Sequence, residues 1–302
     1  MLPHTPKDSS PRSFLLVRAP GRRPAMATET TEPTTAPSAD RKSERKRALV
    51  TGASSGIGEE FARQLAKQGY DVVIVARRRD RLEKIANELK ESGADAEVIA
   101  ADLSRPEGVA AVVERLEKGD VSVLVNNAGF GTSGEFTQLP VDRELQEIDL
   151  NIRALTQLSH VGLSKMKESG AGSIINVASV GAYQPVPYMS TYAATKAYVL
   201  SFSEGLHEEA RQYGVNVTCL CPGATRTEFQ EVAGVGEDGI PGFAWMGSEA
   251  VVKTALGAAK SGGAITTPGI LNKLTANLPR FMPRFAVRKV AGAMFKRAAS
   301  KE

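Results

Sequence analysis

The sequence predicts an α/β fold built around a parallel sheet. Short apolar segments alternate with longer amphipathic segments along most of the chain, an order typical of sheets that are covered by helices. The first apolar segment, 48–50, leads into a glycine-rich turn and a helix that ends near Gly69, and a second strand follows at 71–76. A βαβ unit of about thirty residues with glycines at its first turn is the usual context of a dinucleotide site.

The later segments continue this alternation. We predict helices at 80–91, 106–117, 142–168, 191–213 and 248–260, and strands at 97–101, 121–125, 173–178, 215–221 and 264–267. Segment 228–247 is irregular, glycine-rich and partly apolar. Because a long irregular segment in a compact domain is usually functional, we predict a lid over an apolar substrate; packing of its apolar residues on the domain surface is the alternative.

The turn after the first strand carries three glycines with separate roles. Gly52 allows the tight turn, Gly56 lets the backbone approach a pyrophosphate, and Gly58 lets the helix pack closely against the strand. The helix that begins there directs its free amides at the anion. We therefore predict a dinucleotide site that also includes Ser54, Ser55 and Ile57.

The end of the second strand indicates which cofactor is bound. An NAD site usually has an acidic residue there, but this strand ends in Ala76, followed by Arg77, Arg78 and Arg79. A guanidinium suits the 2′-phosphate of NADP(H). We predict NADP(H) rather than NAD(H), with Arg77 as the first contact and Arg78 as a second candidate. The alternative is that these arginines only face solvent on the next helix, which is favoured for Arg79.

Other strand ends supply further candidate residues, because ligands bind outside the carboxyl ends of parallel strands. Asp102 follows the third strand, where its carboxylate can accept a hydrogen bond from an adenine amine, and the fourth strand is followed by small residues and amides that suit a flat cofactor. The predicted cofactor contacts in these segments are Asp102, Leu103, Asn126, Ala128, Gly129, Pro222, Gly223, Thr225 and Thr227.

The candidate catalytic residues lie between positions 179 and 196. Tyr192 and Lys196 are four residues apart, so a helix places them on one face. A phenol with a pKa of about 10 needs help to act near neutral pH, and a nearby ammonium favours its ionised form. Ser179 offers a hydroxyl that can polarise a carbonyl. The Tyr-x-x-x-Lys pattern is also common on helix surfaces, so its weight depends on the motifs upstream.

The charge distribution argues against a nucleic-acid-binding protein. Residues 1–47 carry ten Lys and Arg against five Asp and Glu, and residues 279–302 carry seven against one, so the remainder is acidic. A nucleic-acid-binding body would concentrate its cations on the folded face instead. Cys219 and Cys221 are too close in sequence for a disulfide, and the three histidines are scattered, so we predict packing cysteines and no metal site.

The two ends differ from the central region in composition. Residues 1–45 are rich in Pro, Ser and Thr and lack periodicity, which predicts a disordered N-terminal extension; Met26 is an alternative start. The apolar run 13–17 is too short for a signal peptide or a membrane span, which favours a cytoplasmic protein. The tail 271–302 contains a basic amphipathic helix after Pro283, suited to an anionic membrane or a partner groove. Packing at a subunit interface or over the substrate pocket is the alternative.

In combination, these motifs resemble those of the short-chain dehydrogenase/reductase family. The resemblance covers about 46–270, the predicted catalytic domain, and rests on 51–58, 126–129, Ser179, 192–196 and 222–223 in the order and spacing of that family. It implies a Rossmann-type doubly wound α/β fold, a seven-stranded parallel sheet with helices on both faces. It also implies an NAD(P) cofactor and a homodimer or homotetramer built on helices 142–168 and 191–213.

The resemblance assigns roles to the catalytic candidates. Tyr192 gives a proton to the carbonyl oxygen, Lys196 holds the nicotinamide ribose and lowers the pKa of the tyrosine, and Ser179 hydrogen-bonds the substrate oxygen. Asn151 holds a water in a proton relay. Thr227 lies near the carboxamide and phosphates, and Thr225 stands where the family usually has Val or Ile.

Segments 75–79, 184–189, 267–269 and 281–284 resemble a ketoacyl-reductase-like branch of the family. The function that follows is NADP(H)-dependent reduction of a ketone, a 3-oxoacyl chain or another lipid-like apolar substrate. A dehydrogenase of small alcohols or hydroxy acids shares every catalytic residue and stays an alternative. So does a non-catalytic protein that senses NADPH, although the complete set of catalytic residues argues against it.

Overall fold

Seven parallel strands form the centre of the computed structural model, which describes residues 45–234 and 242–299, apart from the side chains of Phe243 and 294–299. The strands are β1 Arg47–Thr51, β2 Asp71–Ala76, β3 Ala96–Ala100, β4 Val121–Asn126, β5 Gly172–Val177, β6 Val215–Leu220 and β7 Ile265–Thr266. Their order is β3-β2-β1-β4-β5-β6-β7, and every neighbouring pair is parallel. The predicted doubly wound seven-stranded sheet is confirmed.

Helices cover both faces of this sheet. They are α1 Gly56–Lys67, α2 Arg79–Glu91, α3 Pro106–Glu117, α4 Val141–Ile148, α5 Leu155–Ser169, α6 Ser190–Arg211, α7 Phe229–Ala233, α8 Ser248–Lys260, α9 Ile270–Asn277 and α10 Arg284–Ala299. Successive strand residues face opposite sides, so Val50 packs with Phe61 of α1 in one core and Leu49 packs with Leu158 of α5 in the other.

The reversal of strand order beside β1 positions the site. The chain builds β2 and β3 on one side of β1 and then crosses to β4 on the other side. A crevice opens at the carboxyl ends of the strands at such a switch point, and this is where open α/β sheets bind ligands. The glycine turn at 51–58 follows β1 at this point.

Two helical regions differ from the prediction. The predicted helix 142–168 consists of α4, a π-helical segment Asp149–Ala154, and α5, so one wider turn interrupts the regular ladder. The predicted irregular segment 228–247 contains α7 and a short 3₁₀ turn, Gly242–Ala244. Val235 and Ile240 of the predicted lid lie outside the described residues, as does the predicted N-terminal extension up to residue 44.

The C-terminal helices pack beside the cleft. α9, which the sequence pattern did not predict, contacts the 3₁₀ turn Val180–Tyr183, and the Arg280 guanidinium lies 5.6 Å from the centre of the Tyr183 ring. α10 is the helix predicted after Pro283. Among the described helices, none is both long and apolar enough to cross a bilayer. Cys219 and Cys221 are free and buried, as expected of packing residues.

Candidate active site

A cleft of about 420 Å³ lies at the carboxyl ends of the strands. Most of the predicted site residues line it: Gly52, Ser54, Ser55, Gly56, Ile57, Arg77, Asp102, Leu103, Ala128, Gly129, Ser179, Tyr192, Lys196, Pro222, Gly223, Thr225 and Thr227. The fold therefore brings the glycine turn and the catalytic candidates, which are more than a hundred residues apart in sequence, to one cavity. Gly58, Asn126 and Asn151 are not part of its lining and lie behind it.

The glycine turn has a shape that side chains would prevent. Gly52 and Gly56 have φ values of +66° and +58°, in the left-handed region that favours glycine. A Cβ at Gly58 would lie 2.3 Å from the carbonyl oxygen of Gly52. The turn can therefore bring its backbone and the amino end of α1 close to an anion, which fits the pyrophosphate of a dinucleotide.

Two side chains that were not among the predicted contacts hold this turn in place. The Thr51 hydroxyl accepts hydrogen bonds from the backbone amides of Asn127 and Ala128, both at 3.0 Å. The Asn127 side chain donates to the carbonyl oxygens of Thr51 and Gly52 at 2.9 and 3.2 Å. The ends of β1 and β4 are thus tied together beneath the cofactor cleft. Asn127 belongs to the 126–129 motif, so its place in that motif could have identified it from the sequence.

The arginines after β2 differ in their environments. Arg78 donates to the hydroxyls of Ser54 and Ser55, each at 3.0 Å from Nη2, and forms an ion pair with Glu228 at 2.8 Å. Arg77 is exposed and lines the cleft. Arg81 also pairs with Glu228, and hydrogen bonds from Arg81 and Arg78 lower the pKa of the Glu228 carboxyl. A carboxylate therefore stands beside the predicted phosphate contact, which the sequence did not indicate.

The three catalytic candidates converge on one wall of the cleft. Tyr192 and Lys196 lie one turn apart on α6, as predicted, with the Lys196 ammonium 5.7 Å from the centre of the tyrosine ring. Lys196 Nζ donates to the carbonyl oxygen of Val177 at 2.9 Å. Ser179 Oγ accepts from the amide of Gly181 at 3.1 Å, so its own proton is left for another acceptor in the cleft that Ser179 and Tyr192 both line.

Burial governs the electrostatics of this wall. Burial raises the pKa of Tyr192 to about 12, against a smaller lowering by the hydrogen bond from Ser179. Burial also lowers the pKa of Lys196 to about 8. Desolvation, which disfavours the charged forms of both groups, sets the direction of both pKa shifts, and the lowering of the tyrosine pKa by the lysine stays a prediction. A phenol that keeps its proton at neutral pH can serve as a general acid.

Asn151 positions the backbone behind this wall. It is buried in the π-helical segment, accepts from the amide of Phe130 at 3.2 Å, and donates to the carbonyl of Phe130 at 2.9 Å and to the Thr195 hydroxyl at 3.0 Å. A Cβ at Gly129 would lie 2.9 Å from Asn151 Oδ1 and 3.3 Å from Lys196 Nζ. Glycine at this position therefore lets the amide and the ammonium approach the same point. π-Turns inside helices are frequent at functional sites.

Two residues predicted on the adenosine side behave differently from each other. Asp102 lines the cleft, where its Oδ1 accepts from the backbone amide and the hydroxyl of Ser104 at 3.0 and 2.8 Å. Asn126 is buried, and its side-chain amide donates to Ser159 Oγ at 3.0 Å and Asn176 Oδ1 at 2.9 Å. The Asn126 side chain thus links the core beneath β4 and β5, which leaves only its backbone for the predicted cofactor contact.

A buried acidic pair lies on α4, one turn before the π-helical segment. Glu144 and Glu147 both hydrogen-bond the hydroxyl of Thr132, and Glu144 also accepts from Thr191 of α6. Burial, together with repulsion from Glu144, raises the pKa of Glu147 to about 7. Among the described residues, Glu147 Oε1 has no hydrogen-bond partner. In the sequence these carboxylates look like ordinary surface residues of an amphipathic helix.

Comparison with known proteins identifies the family. The model of the short chain dehydrogenase family matches residues 46–237. The chain belongs to that family. It is accordingly an NAD(P)(H)-dependent oxidoreductase.

Several relatives align with most of the length of this short-chain dehydrogenase. A short-chain dehydrogenase from Sphingobium yanoikuyae, solved in complex with NADPH, is 37% identical over 79% of this chain and 96% of its own, with a TM-score of 0.71. A bulky-bulky ketone specific alcohol dehydrogenase from Comamonas testosteroni is 32% identical over 80% of this chain and 96% of its own, with a TM-score of 0.68. The very-long-chain 3-oxoacyl-CoA reductase of Mus musculus is 30% identical over 80% of this chain and 77% of its own.

Proposed function

We propose that this short-chain dehydrogenase uses NADPH to reduce an apolar ketone, a 3-oxoacyl chain or a similar lipid-like substrate, to the alcohol. One observation carries the proposal: Tyr192 lies with Ser179 and Lys196 in the lining of one cleft, whose neighbouring wall is apolar. The alternative, a dehydrogenase of small hydroxy acids, would be expected to have cationic or polar side chains at that wall.

The residues of the cleft divide the chemistry between them. The glycine turn and the amino end of α1 would hold the pyrophosphate, with Arg77 and Arg78 at the 2′-phosphate and Asp102 on the adenosine side. The nicotinamide cofactor supplies the hydride when bound. Tyr192 gives its proton to the carbonyl oxygen, which Ser179 orients by donating a hydrogen bond. Lys196, with a pKa of about 8, can exchange a proton near neutral pH and is placed to restore that of the tyrosine.

The apolar wall supports the assignment of the substrate class. Val180, Met189, Phe229 and Val232 line the cleft, and the Phe229 ring lies 5.3 Å from the Tyr192 ring, centre to centre. A substrate carbonyl held at Tyr192 would therefore place its chain among apolar side chains. Two relatives, named as a bulky-bulky ketone specific alcohol dehydrogenase and a very-long-chain 3-oxoacyl-CoA reductase, agree with this substrate class.

Turnover of graded substrates tests the proposal. NADPH oxidation is followed with 2-keto acids and with 3-oxoacyl thioesters of increasing chain length, and kcat/KM is expected to rise with length. Tyr192→Phe should lower turnover by at least about 100-fold while the Kd for NADPH changes little, because it removes only the proton donor. Tyr213→Phe is the matched control. Faster turnover of the short acids would favour the alternative dehydrogenase, and unchanged turnover in Tyr192→Phe would refute the catalytic assignment.

Two arginine variants test the choice of cofactor. Arg77→Ala and Arg78→Ala are each expected to raise the Kd for NADPH by about tenfold or more and to affect NADH less, because a bidentate phosphate contact is lost. Arg79→Ala, whose side chain pairs with Glu83 on α2, is the control. Equal losses for NADPH and NADH would show that neither arginine reads the 2′-phosphate.

We further propose the homodimer or homotetramer that the family resemblance implies. Val141 and Leu145 on α4 and Tyr198 on α6 are 66%, 53% and 38% exposed, and they offer an apolar surface for another copy. Light scattering of the wild type and of Leu145→Glu tests this assembly, since a monomeric wild type would contradict it.

A further inference from the structure

The C-terminal helices expose a row of large apolar side chains. We call this the tail surface and define its apolar part by residues that are between 58% and 85% exposed: Ile270, Leu274, Leu278, Phe281 and Phe285. Ile270, Leu274 and Leu278 are four residues apart, which places them on one side of α9 and its C-terminal end. Phe281 and Phe285 lie on either side of the extended residue Met282, which separates the 3₁₀ turn from α10. A contiguous exposed apolar row of this kind marks an interaction site.

The buried face of the same helices is made of smaller side chains. Asn272, Ala276, Val287 and Ala291 are at most 8% exposed, and Asn272 packs where a Cβ at Gly223 would lie. α9 is thus anchored to the catalytic unit by its small residues, while its largest apolar residues face outward. This arrangement reverses the amphipathic pattern of an ordinary surface helix.

The charge of the tail surface decides what kind of partner fits it. There is no Asp or Glu between Glu249 and Glu302, whereas Lys273, Arg284, Arg288 and Lys289 are all exposed among the apolar residues. Aromatic and aliphatic side chains interspersed with cations suit the boundary of an anionic bilayer. A two-fold contact between copies would instead bring these like charges together, which is unfavourable.

We propose that the tail surface binds anionic phospholipid bilayers, with Phe281 and Phe285 in the interfacial region and the cations at the headgroups. This surface adjoins the cleft, because Arg280 stacks on Tyr183 and α9 packs against the turn that follows Ser179. An apolar substrate could then pass between the bilayer and the cleft over a short path. The binding itself does not depend on the proposed reaction.

Cosedimentation with vesicles tests this proposal on the full chain. Wild-type protein is expected to pellet with vesicles of 70% phosphatidylcholine and 30% phosphatidylserine, and much less with phosphatidylcholine alone, at fixed ionic strength. Replacing Arg284, Arg288 and Lys289 by Glu should weaken partitioning on the order of 100-fold, because each cation contributes about fivefold or more. Phe281→Ser with Phe285→Ser should weaken it by at least about tenfold.

Matched variants separate a local surface from overall charge. Replacing Lys84, Lys90 and Lys118, which are exposed on another part of the molecule, by Glu changes the net charge equally and should leave most of the binding intact. Phe136→Ser is the apolar control, and thermal denaturation with turnover confirms that each variant folds.

Three outcomes would overturn the proposal. One is a wild type that pellets with neither kind of vesicle. A second is a loss of vesicle binding that is equal in the triple variant of the tail surface and in the control triple variant at Lys84, Lys90 and Lys118. The third is a tail-surface variant that still pellets with the anionic vesicles as the wild type does. If such a variant instead changes the molar mass measured by light scattering, the tail surface binds a second copy of the chain.

Discussion

Replacing Glu147 by Gln is expected to remove much of the pH dependence of stability between pH 5 and pH 8. The Glu147 side chain is 0% exposed, and it shares the single proton of the Thr132 hydroxyl with Glu144. Glu144 also accepts a hydrogen bond from the Thr191 hydroxyl, a second hydroxyl donor that Glu147 lacks. Glu147 is then most stable as a neutral acid that donates to Thr132, and a Gln amide can imitate that form.

The magnitude follows from the pKa of Glu147, which is raised from 4.5 to about 7. Because the folded state holds this proton more tightly than the unfolded state, the free energy of unfolding falls as the pH rises from about 4.5 to about 7 and then levels off. A shift of this size corresponds to about 3 kcal/mol, since one pKa unit is about 1.4 kcal/mol. At pH 8 the Gln variant should therefore be more stable than the wild type by up to about 3 kcal/mol, and near pH 4.5 the two should be similar.

Urea denaturation at pH 5, 6, 7 and 8, at one protein concentration, measures this difference. Glu114→Gln, which neutralises an exposed carboxylate on α3, is the matched control and should show no comparable trend. Two parallel curves of unfolding free energy against pH for wild type and Glu147→Gln would refute the reasoning. So would a variant that is less stable at pH 8, since that result would mean that the ionised carboxylate is stabilising.

Three further substitutions test the structure of the site. Gly58→Ala should lower the melting temperature and weaken NADPH binding in a fluorescence titration, because its Cβ would lie 2.3 Å from a carbonyl oxygen. The control is Gly257→Ala, whose Cβ would meet nothing within 4 Å and which should have little effect. Glu228→Gln should tighten NADPH binding several-fold relative to NADH by releasing Arg78, and an unchanged ratio would contradict a phosphate role for that arginine. Asn151→Ala should lower both turnover and the free energy of unfolding, the latter by about 1–3 kcal/mol, and full turnover would show that its hydrogen bonds do not position the site.

The sheet and the glycine turn were predictable because their causes are local. A buried parallel strand needs a continuous apolar run such as Val72–Val75, and a left-handed backbone angle needs a residue such as Gly52. The i, i+4 relation of Tyr192 and Lys196 follows from helix geometry alone. These properties can be inferred from neighbouring residues in the chain, and for them the structure agrees with the sequence.

The partners of individual polar side chains were not predictable in this way. Asn126 and Asn127 are adjacent and chemically identical, yet one side chain is enclosed in the core and the other holds the glycine turn. Their difference arises from the alternation of side chains at the end of β4 and from the elements that pack on each face. Glu228 likewise meets Arg78 only because the chain returns to the cleft 150 residues later.

The π-helical segment and the buried acid pair are connected features of the site. The wider turn over Asp149–Ala154 places Asn151 against Phe130 and Thr195, while α4 immediately before it carries Glu144 and Glu147 against Thr132. Both contacts hold the 130–132 segment, which continues from β4 past the catalytic wall. Because Glu147 raises the pKa of both Tyr192 and Lys196 by its charge, ionisation of this carboxyl would act on the proton-transferring groups without touching substrate. In Glu147→Gln, the pH dependence of the unfolding free energy and the pH profile of turnover should therefore both change around pH 7. If the substitution changes the stability but leaves the pH profile of turnover as in the wild type, the acidic pair has a structural role and no electrostatic effect on catalysis.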